Sequence, residues 1–481
     1  MKFRIAALTL FCILSYSTLS AQDTWSLKRA VQYALDNNIS VKQADVQARL
    51  AALNLRQSRL MQIPSANLSA STGINAGRSI DPTTNQFTTT QLLSAGFNVS
   101  SAMTVFNFFS IKNNIEGNRL DNEAARVNVE KIRNDVAINV ATAYLLVLVS
   151  QEQANIAKLA AQLTAQNLEN TRKRVEAGAL PELNLAELEA QLALDSSNLI
   201  NAVNTSKQNI LQLKAVLSLD AGKEMVVEAP PLEDIPVLPL AELQPESVYS
   251  DAVRNLPQQK VNDLRIQAAE KYVKAARGQM YPSLSLFAGL GSNYANNKVP
   301  TINQVPTGKL DTTGAFINIG GTLYDVVAPG FNTVVTSNRI PFTTQFSDNF
   351  RQNIGVQLNI PLFNNGTART AWERNKLNVT SLQLQKDLDL LTLKQDIYTA
   401  YNDASSALQR YMAGQKSVQT AEKAYNFAQK RYELGLLTTI DLLTNQNNLN
   451  RARVELAQAH VDYVFKLKLL EFYKGQGIKV E

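Results

Sequence analysis

Arg351-Gln352-Asn353-Ile354-Gly355-Val356-Gln357-Leu358-Asn359-Ile360-Pro361-Leu362-Phe363-Asn364-Asn365-Gly366 is the stretch from which the fold can be read outward. Phe350, Ile354, Val356, Leu358, Ile360 and Leu362 share one face of an extended chain, and Arg351, Asn353, Gly355, Gln357 and Asn359 share the other. After Pro361 the pattern stops. The Asn-Asn-Gly turn then hands over to a long helical period. Alternation over about ten residues, apolar outward and polar inward, is what a strand of a membrane barrel shows. A half-buried soluble sheet alternates too, so one such stretch leaves both readings open.

Three more stretches alternate in the same way. Ala66, Leu68, Ala70, Thr72, Ile74 and Ala76 oppose Ser65, Asn67, Ser69, Ser71, Gly73 and Asn75. Phe97, Val99, Met103 and Val105 oppose Gly96, Asn98, Ser100 and Thr104. Leu284, Leu286, Ala288 and Leu290 oppose Ser283, Ser285, Gly289 and Gly291. Four such stretches, in related pairs on an exported chain, favour the barrel.

The pairs belong to an internal two-fold repeat. Arg174-Val175-Glu176-Ala177-Gly178 returns as Arg431-Tyr432-Glu433-Leu434-Gly435, and Asn184-Leu185 returns as Asp441-Leu442. Ile63-Pro64-Ser65 returns as Tyr281-Pro282-Ser283. Each unit reads helix, strand, loop, strand, very long helix, turn, helix. First helices are expected over Leu27 to Gln62 and Glu246 to Met280, long ones over Lys112 to Ala177 and Thr367 to Leu434, and last ones over Pro181 to Leu217 and Thr439 to Lys474. The domain reading is 22–243 for the first repeat, ending in a linker at 218–243, and 244–481 for the second. The second carries the extra segment 295–349, expected as an extracellular loop or partial plug.

Heptad spacing marks both long helices. Val129, Ile132, Val136, Val140, Ala143 and Val147 form one stripe; Leu390, Leu393, Ile397, Ala400, Ala404, Ala407 and Tyr411 form the other. Such stripes favour left-handed coiled-coil packing. At about 1.5 Å per residue each long helix would span about 100 Å.

The first 21 residues read as a removable export signal: Lys2 and Arg4, an apolar run from Ile5 to Leu14, and small residues before Gln22. Cys12, the one cysteine, lies within it. Without Lys2 and Arg4 the formal charge of +6 falls to +4, and no basic block suggests nucleic acid. Beyond the signal no apolar run of membrane-helix length stands out. An exported chain of this kind is periplasmic, secreted, or in the outer membrane as a barrel.

Four strands cannot close a membrane barrel, because single-chain barrels begin at eight and an open edge in lipid leaves backbone groups unsatisfied. Copies must therefore pool strands. A water-filled duct favours three or more copies over two.

Taken together, the duplicated units, the starts at Pro64 and Pro282, the corner Ile360-Pro361-Leu362-Phe363-Asn364-Asn365-Gly366 and the turns at Arg174-x3-Gly178 and Arg431-x3-Gly435 resemble the TolC family of outer-membrane efflux proteins. The first corner, Val105-Phe106-Asn107-Phe108-Phe109, lacks the second one's glycine. The resemblance implies an α+β membrane protein. It would be a homotrimer with a shared 12-stranded β-barrel, four strands per chain, and a long periplasmic α-helical coiled-coil barrel. The 218–243 linker would join an equatorial collar. It further implies a passive exit duct of a tripartite efflux pump or type I secretion system, set in outer-membrane lipid. Its partners would be a periplasmic adaptor and an inner-membrane transporter.

Gly178 and Gly435 end long helices, where glycine is the usual cap, and Arg174 and Arg431 suit the helix dipole. The resemblance makes all four adaptor-contact tips. It also places Asp441 in the carboxylate ring of the periplasmic aperture, although a first-turn helix acid reads equally well from sequence. The family's second aperture acid falls at Thr444. Tyr432 matches the family's gating tyrosine, its acidic partner falls at Asn184, and the tethering arginine at Leu437. A Tyr432–Asn184 hydrogen bond is the tether that would be left. Arg78 and Arg351 lie near strand ends.

His460 is the sole histidine, and neither a metal cluster, a nucleophilic triad nor a phosphate loop is legible, so no cofactor and no catalysis are expected. A soluble periplasmic coiled-coil scaffold or adaptor is the alternative. An enzyme using the helices as a stalk is a third reading.

Overall fold

A computed structural model describes residues 24–80, 85–89, 91–228, 238–296 and 298–475. The expected signal at 1–21 and Pro230, Pro231 and Pro236 of the expected linker lie outside these residues. The chain divides into a strand unit, 56–115 with 271–374, and a helical unit formed by the rest.

In the strand unit, β2 (Ser65–Asn75), β5 (Leu92–Phe106), β7 (Ser283–Ala295) and β10 (Arg351–Asn359) make one antiparallel sheet in the order β10-β7-β5-β2, and β3 (Arg78–Ile80) pairs antiparallel with β4 (Phe87–Thr89). All four strands of the sheet overlap the alternating stretches, although Ala76, Phe350, Ile360 and Leu362 lie outside the strands. The register carries the alternation across the sheet. Asn67, Ser100, Gly289 and Asn353 lie in one polar row, whereas Met103, Leu286 and Val356 lie in an apolar row on the other face. That apolar face is open: Leu68 is 75% and Ile354 is 85% exposed. A bulge between Thr104 and Phe106 takes Val105 out of register, so it does not continue the Val99–Met103 face as its spacing suggests.

The two corners into the long helices turn by different means. Asn365 and Gly366 adopt positive φ at the second, while Phe108 and Phe109 do so at the first. Where the glycine is missing, two phenylalanines accept left-handed geometry, at about 1–2 kcal/mol each. Ring packing offsets part of this: Phe108 stacks on Tyr281 at 4.7 Å between centroids.

Segment 295–349, expected as an extracellular loop or partial plug, has regular secondary structure. β8 (Lys298–Ile319) and β9 (Thr322–Arg339) form an antiparallel hairpin, followed by α7 (Phe342–Asp348). Gly320 and Gly321, both at positive φ, close the two-residue turn between Ile319 and Thr322. Pro300, Pro306 and Pro329 are compatible with these strands because each strand has an unpaired edge.

The helical unit draws on α1 (Leu27–Asn37), α2 (Ile39–Leu60), α3 (Ser110–Glu176), α4 (Glu182–Leu217), α5 (Pro245–Asn255), α6 (Pro257–Gly278), α8 (Thr367–Glu433) and α9 (Thr439–Tyr473). Both expected first helices are broken. Leu256 is extended because Pro257 disfavours the helical region for the residue before it. Asn38 is extended because its side chain does the work of a helix: Oδ1 accepts from Ser40 N at 2.8 Å and Nδ2 donates to Val216 O at 2.7 Å.

The heptad stripes become cores. Val136, Val140, Ala143 and Val147 are buried with Trp25, Ala34, Leu213 and Leu217; Ile397, Ala400 and Ala404 are buried with Leu243, Val248, Leu467 and Leu470. A short parallel pair, β1 (Thr24–Trp25) with β6 (Val226–Val227), closes over the first core. The buried Tyr144 hydroxyl lies 2.9 Å and 2.5 Å from the carbonyl oxygens of Trp25 and Glu228, with one proton to donate between them. One correction concerns hydropathy: α3 does contain an 18-residue window apolar enough to cross a membrane. On that helix Val140, Tyr144 and Val147 are fully buried, and 44% of the window is buried within the chain.

Candidate functional site

The two long helices end alike. Gly178 and Gly435 sit at φ 73° and 72°. Gly178 N donates to Val175 O and Ala179 N to Arg174 O; Gly435 N donates to Tyr432 O and Leu436 N to Arg431 O, all within 2.8–2.9 Å. These are Schellman caps, which satisfy carbonyls that a helix end would leave unpaired. The glycines are required by backbone conformation. A Cβ at Gly178 would meet nothing within 4 Å, and one at Gly435 only Arg174 Nη2 at 3.8 Å.

The next helices start differently. Thr438 caps α9: its Oγ1 accepts from Asp441 N at 3.2 Å and donates to Asp441 Oδ2 at 2.7 Å. Asp441 is therefore a first-turn acid, exposed, with its charge at the positive helix end. Thr444 is exposed and back-bonds to Ile440 O at 2.8 Å. α4 begins after Pro181, which offers no side-chain cap.

Tyr432 does not meet Asn184 through its hydroxyl. That oxygen lies 2.9 Å from Thr171 Oγ1, and both residues are buried. Arg174 also crosses to the same helix: Nη1 donates to Tyr432 O at 3.2 Å, and its guanidinium sits 5.9 Å from the Tyr432 ring centroid. Thus Arg174 and Arg431, equivalent in sequence, differ in place: the first ties α3 to α8 and the second is exposed. Asn184 is half-buried on α4.

Above Thr171 the seam stays polar. Asp195 Oδ2 accepts from Thr164 Oγ1 at 2.6 Å, Asp195 Oδ1 accepts from Gln191 Nε2 at 2.8 Å, and Gln446 Nε2 donates to Thr164 Oγ1 at 2.7 Å. Thr164, Asp195 and Gln446 are all buried. Sequence reading missed this network. Its signal was the spacing of Ala160, Thr164, Asn167 and Thr171, a heptad stripe that turns polar toward the helix end. Polar residues at such positions fix register at a cost in stability.

Among the described residues no group of three or more His, Cys, Asp or Glu is placed to hold a metal. His460 stacks on Tyr411, 4.5 Å between centroids.

Outer membrane protein TolC of Vibrio cholerae is 22% identical to this chain over 485 residues, covering 98% of it and 95% of that protein. Outer membrane efflux protein BepC of Brucella suis is 21% identical over 461 residues, covering 94% and 86%. A solved structure of CusC superposes with a TM-score of 0.73 at 16% identity, over 95% of this chain and 92% of that one. The family model described as outer membrane efflux protein matches residues 30–218 and 248–475. That match spans both long helices and all four strands of the sheet, and it places the chain in the outer membrane efflux protein family.

Proposed function

We propose that three copies of this chain form the exit duct of a tripartite efflux pump or type I secretion system, a passive conduit from periplasm to exterior. The observation that carries this reading is the sheet itself. Its apolar face is exposed, its other face is polar, and β2 and β10 each have one free edge. In lipid those edges must be paired, and three such sheets make a twelve-stranded wall.

Aromatic residues bound the apolar face. Phe106, Phe108, Phe109 and Tyr281 cluster where the strands meet the long helices, while Phe97, Tyr294, Phe342 and Phe346 cluster at the far end. From Phe97 to Phe106 a tilted strand rises about 23 Å, close to the roughly 25 Å apolar band of outer-membrane barrels.

In this assembly the long helices extend into the periplasm as a coiled-coil barrel built from two repeats per chain, and the 218–243 linker contributes to an equatorial collar. Gly178, Gly435 and Arg431 are open for adaptor contact. One exposed Asp441 per copy gives a ring that favours cations at the aperture. Thr444 and Asn184 line the same end without charge. The chain supplies no reaction of its own, and an inner-membrane transporter provides the energy.

Membrane fractionation tests this. The expected result is a heat-modifiable oligomer in outer-membrane fractions, with raised susceptibility to an exported compound when the gene is deleted. A soluble periplasmic monomer would overturn it in favour of a scaffold.

A further inference from the structure

Resting on the duct reading, we propose that the β8–β9 hairpin is an intersubunit arm, whose apolar face packs against the same hairpin of neighbouring copies beyond the barrel's outer end.

Among the described residues β8 and β9 pair only with each other. With 18 residues in β9, the arm is about 60 Å long. A two-stranded hairpin has no core of its own and is marginal alone in water. Yet this one presents large apolar side chains to solvent. Ile302 pairs with Val335, and Pro306 with Phe331, so all four lie on one face. Ile302 is 66%, Val335 58% and Phe331 50% exposed. Gln304 against Thr333 also lies on this face; the opposite face is polar near the root, with Thr301 against Thr336, but carries exposed Ile317, Tyr324 and Ile319 toward the tip.

The faces, not the edges, are fitted for contact. Pro300 and Pro306 on β8 and Pro329 on β9 lack donors, and register shifts after Pro306 and Thr312 interrupt the ladder. Such features discourage addition of another strand.

A second copy of the chain fits this face best, for geometric reasons. The arm grows from β7, which ends at Ala295, one position after Tyr294 of the outer aromatic cluster. β7 lies inside a sheet whose free edges already require neighbouring copies. A twelve-stranded wall with strands about 4.8 Å apart and tilted about 40° has a radius of about 12 Å. Arms rooted in β7 of adjacent copies then start about 21 Å apart, and sheets pack at about 10 Å. A slight inward lean brings three arms together along their length. Charge opposes close contact only at the root, where Lys298 pairs with Arg339 on the same face; farther out Lys309 is offset by Asp311 and Asp325.

The test is cysteine cross-linking of the full-length protein in outer membranes. Cys12 lies in the expected signal, so Val335→Cys and Thr336→Cys each add one thiol, on opposite faces. The mass of the uncross-linked assembly is measured in parallel. We expect chain-to-chain disulfides from Val335→Cys at severalfold the yield of Thr336→Cys. An intact trimer with equal, low yields would overturn the arm proposal and leave the duct standing. So would Val335→Cys captured by a different protein, or left fully reactive to a water-soluble maleimide. Absence of a trimer would overturn the duct reading, and the arm with it.

Discussion

The Tyr432 hydroxyl and Thr171 Oγ1, 2.9 Å apart and buried, join α8 to α3 where both long helices approach their capped ends. A buried hydrogen bond of this kind contributes about 1 kcal/mol. If the helix ends part when the duct opens, Tyr432→Phe or Thr171→Val should shift the balance toward open by about fivefold per copy. Three copies moving together would give a shift on the order of 100-fold, or about 3 kcal/mol. Single-channel recording should show longer open times for both variants. Unchanged gating in both would remove this contact from the gate.

Conformation and adaptor contact make different demands at Gly178 and Gly435. Alanine at either position should destabilise the turn by about 1–2 kcal/mol because φ is positive. Asparagine, which tolerates that region, should cost less. Hydrogen exchange at residues 174–179 reports the turn, and export activity reports docking. If Gly178→Asn keeps the turn but loses export, the open space around the glycine serves a partner.

The sheet's two faces make opposite forecasts. Ile354→Lys places a charge on the apolar face, at about 2–4 kcal/mol near the bilayer midplane, and should lower the yield of assembled channel. Asn353→Lys, one residue away, lies in the polar row with Gly289 and Ser100. It should assemble normally and shift ion selectivity toward anions. Equal assembly yields would contradict the assignment of faces.

Asp441 is both a first-turn acid and the candidate aperture charge. Asp441→Asn keeps an oxygen for Thr438 and removes the charge, so cation preference in bilayer recordings should fall with little loss of stability. Thr438→Val removes the cap at about 1 kcal/mol and should leave selectivity near the parent value.

Burial first, and then the charge of Asp396, push the Tyr473 hydroxyl up to about 12 from its ordinary 10.0. The neutral form is thus favoured by folding, so the contribution is complete below pH 10 and is lost as pH rises from 10 toward 12. The melting temperature of the helical unit should fall over that window, and Tyr473→Phe should reduce the fall. A parent and variant with the same pH profile would contradict it.

Strong periodicity was legible in the sequence. The alternating stretches lie in β2, β5, β7 and β10, and the heptad residues Val140, Val147, Ile397 and Ala404 are buried. What escaped depends on contacts between distant residues. Asn38 breaks its helix partly through Val216, 178 positions away, and Tyr432 finds Thr171 across 261 positions. The hairpin in 295–349 was masked by its prolines, although Gly320-Gly321 between alternating runs is a hairpin signal. The break at Leu256 is written in the sequence by Pro257.

Native mass spectrometry of the detergent-purified protein, paired with conductance from the same preparation, is the most direct check. A conducting particle containing three chains is the result this account requires, since four strands per chain leave one edge of β2 and one edge of β10 without a partner. A single chain that conducts through a sealed wall would contradict it.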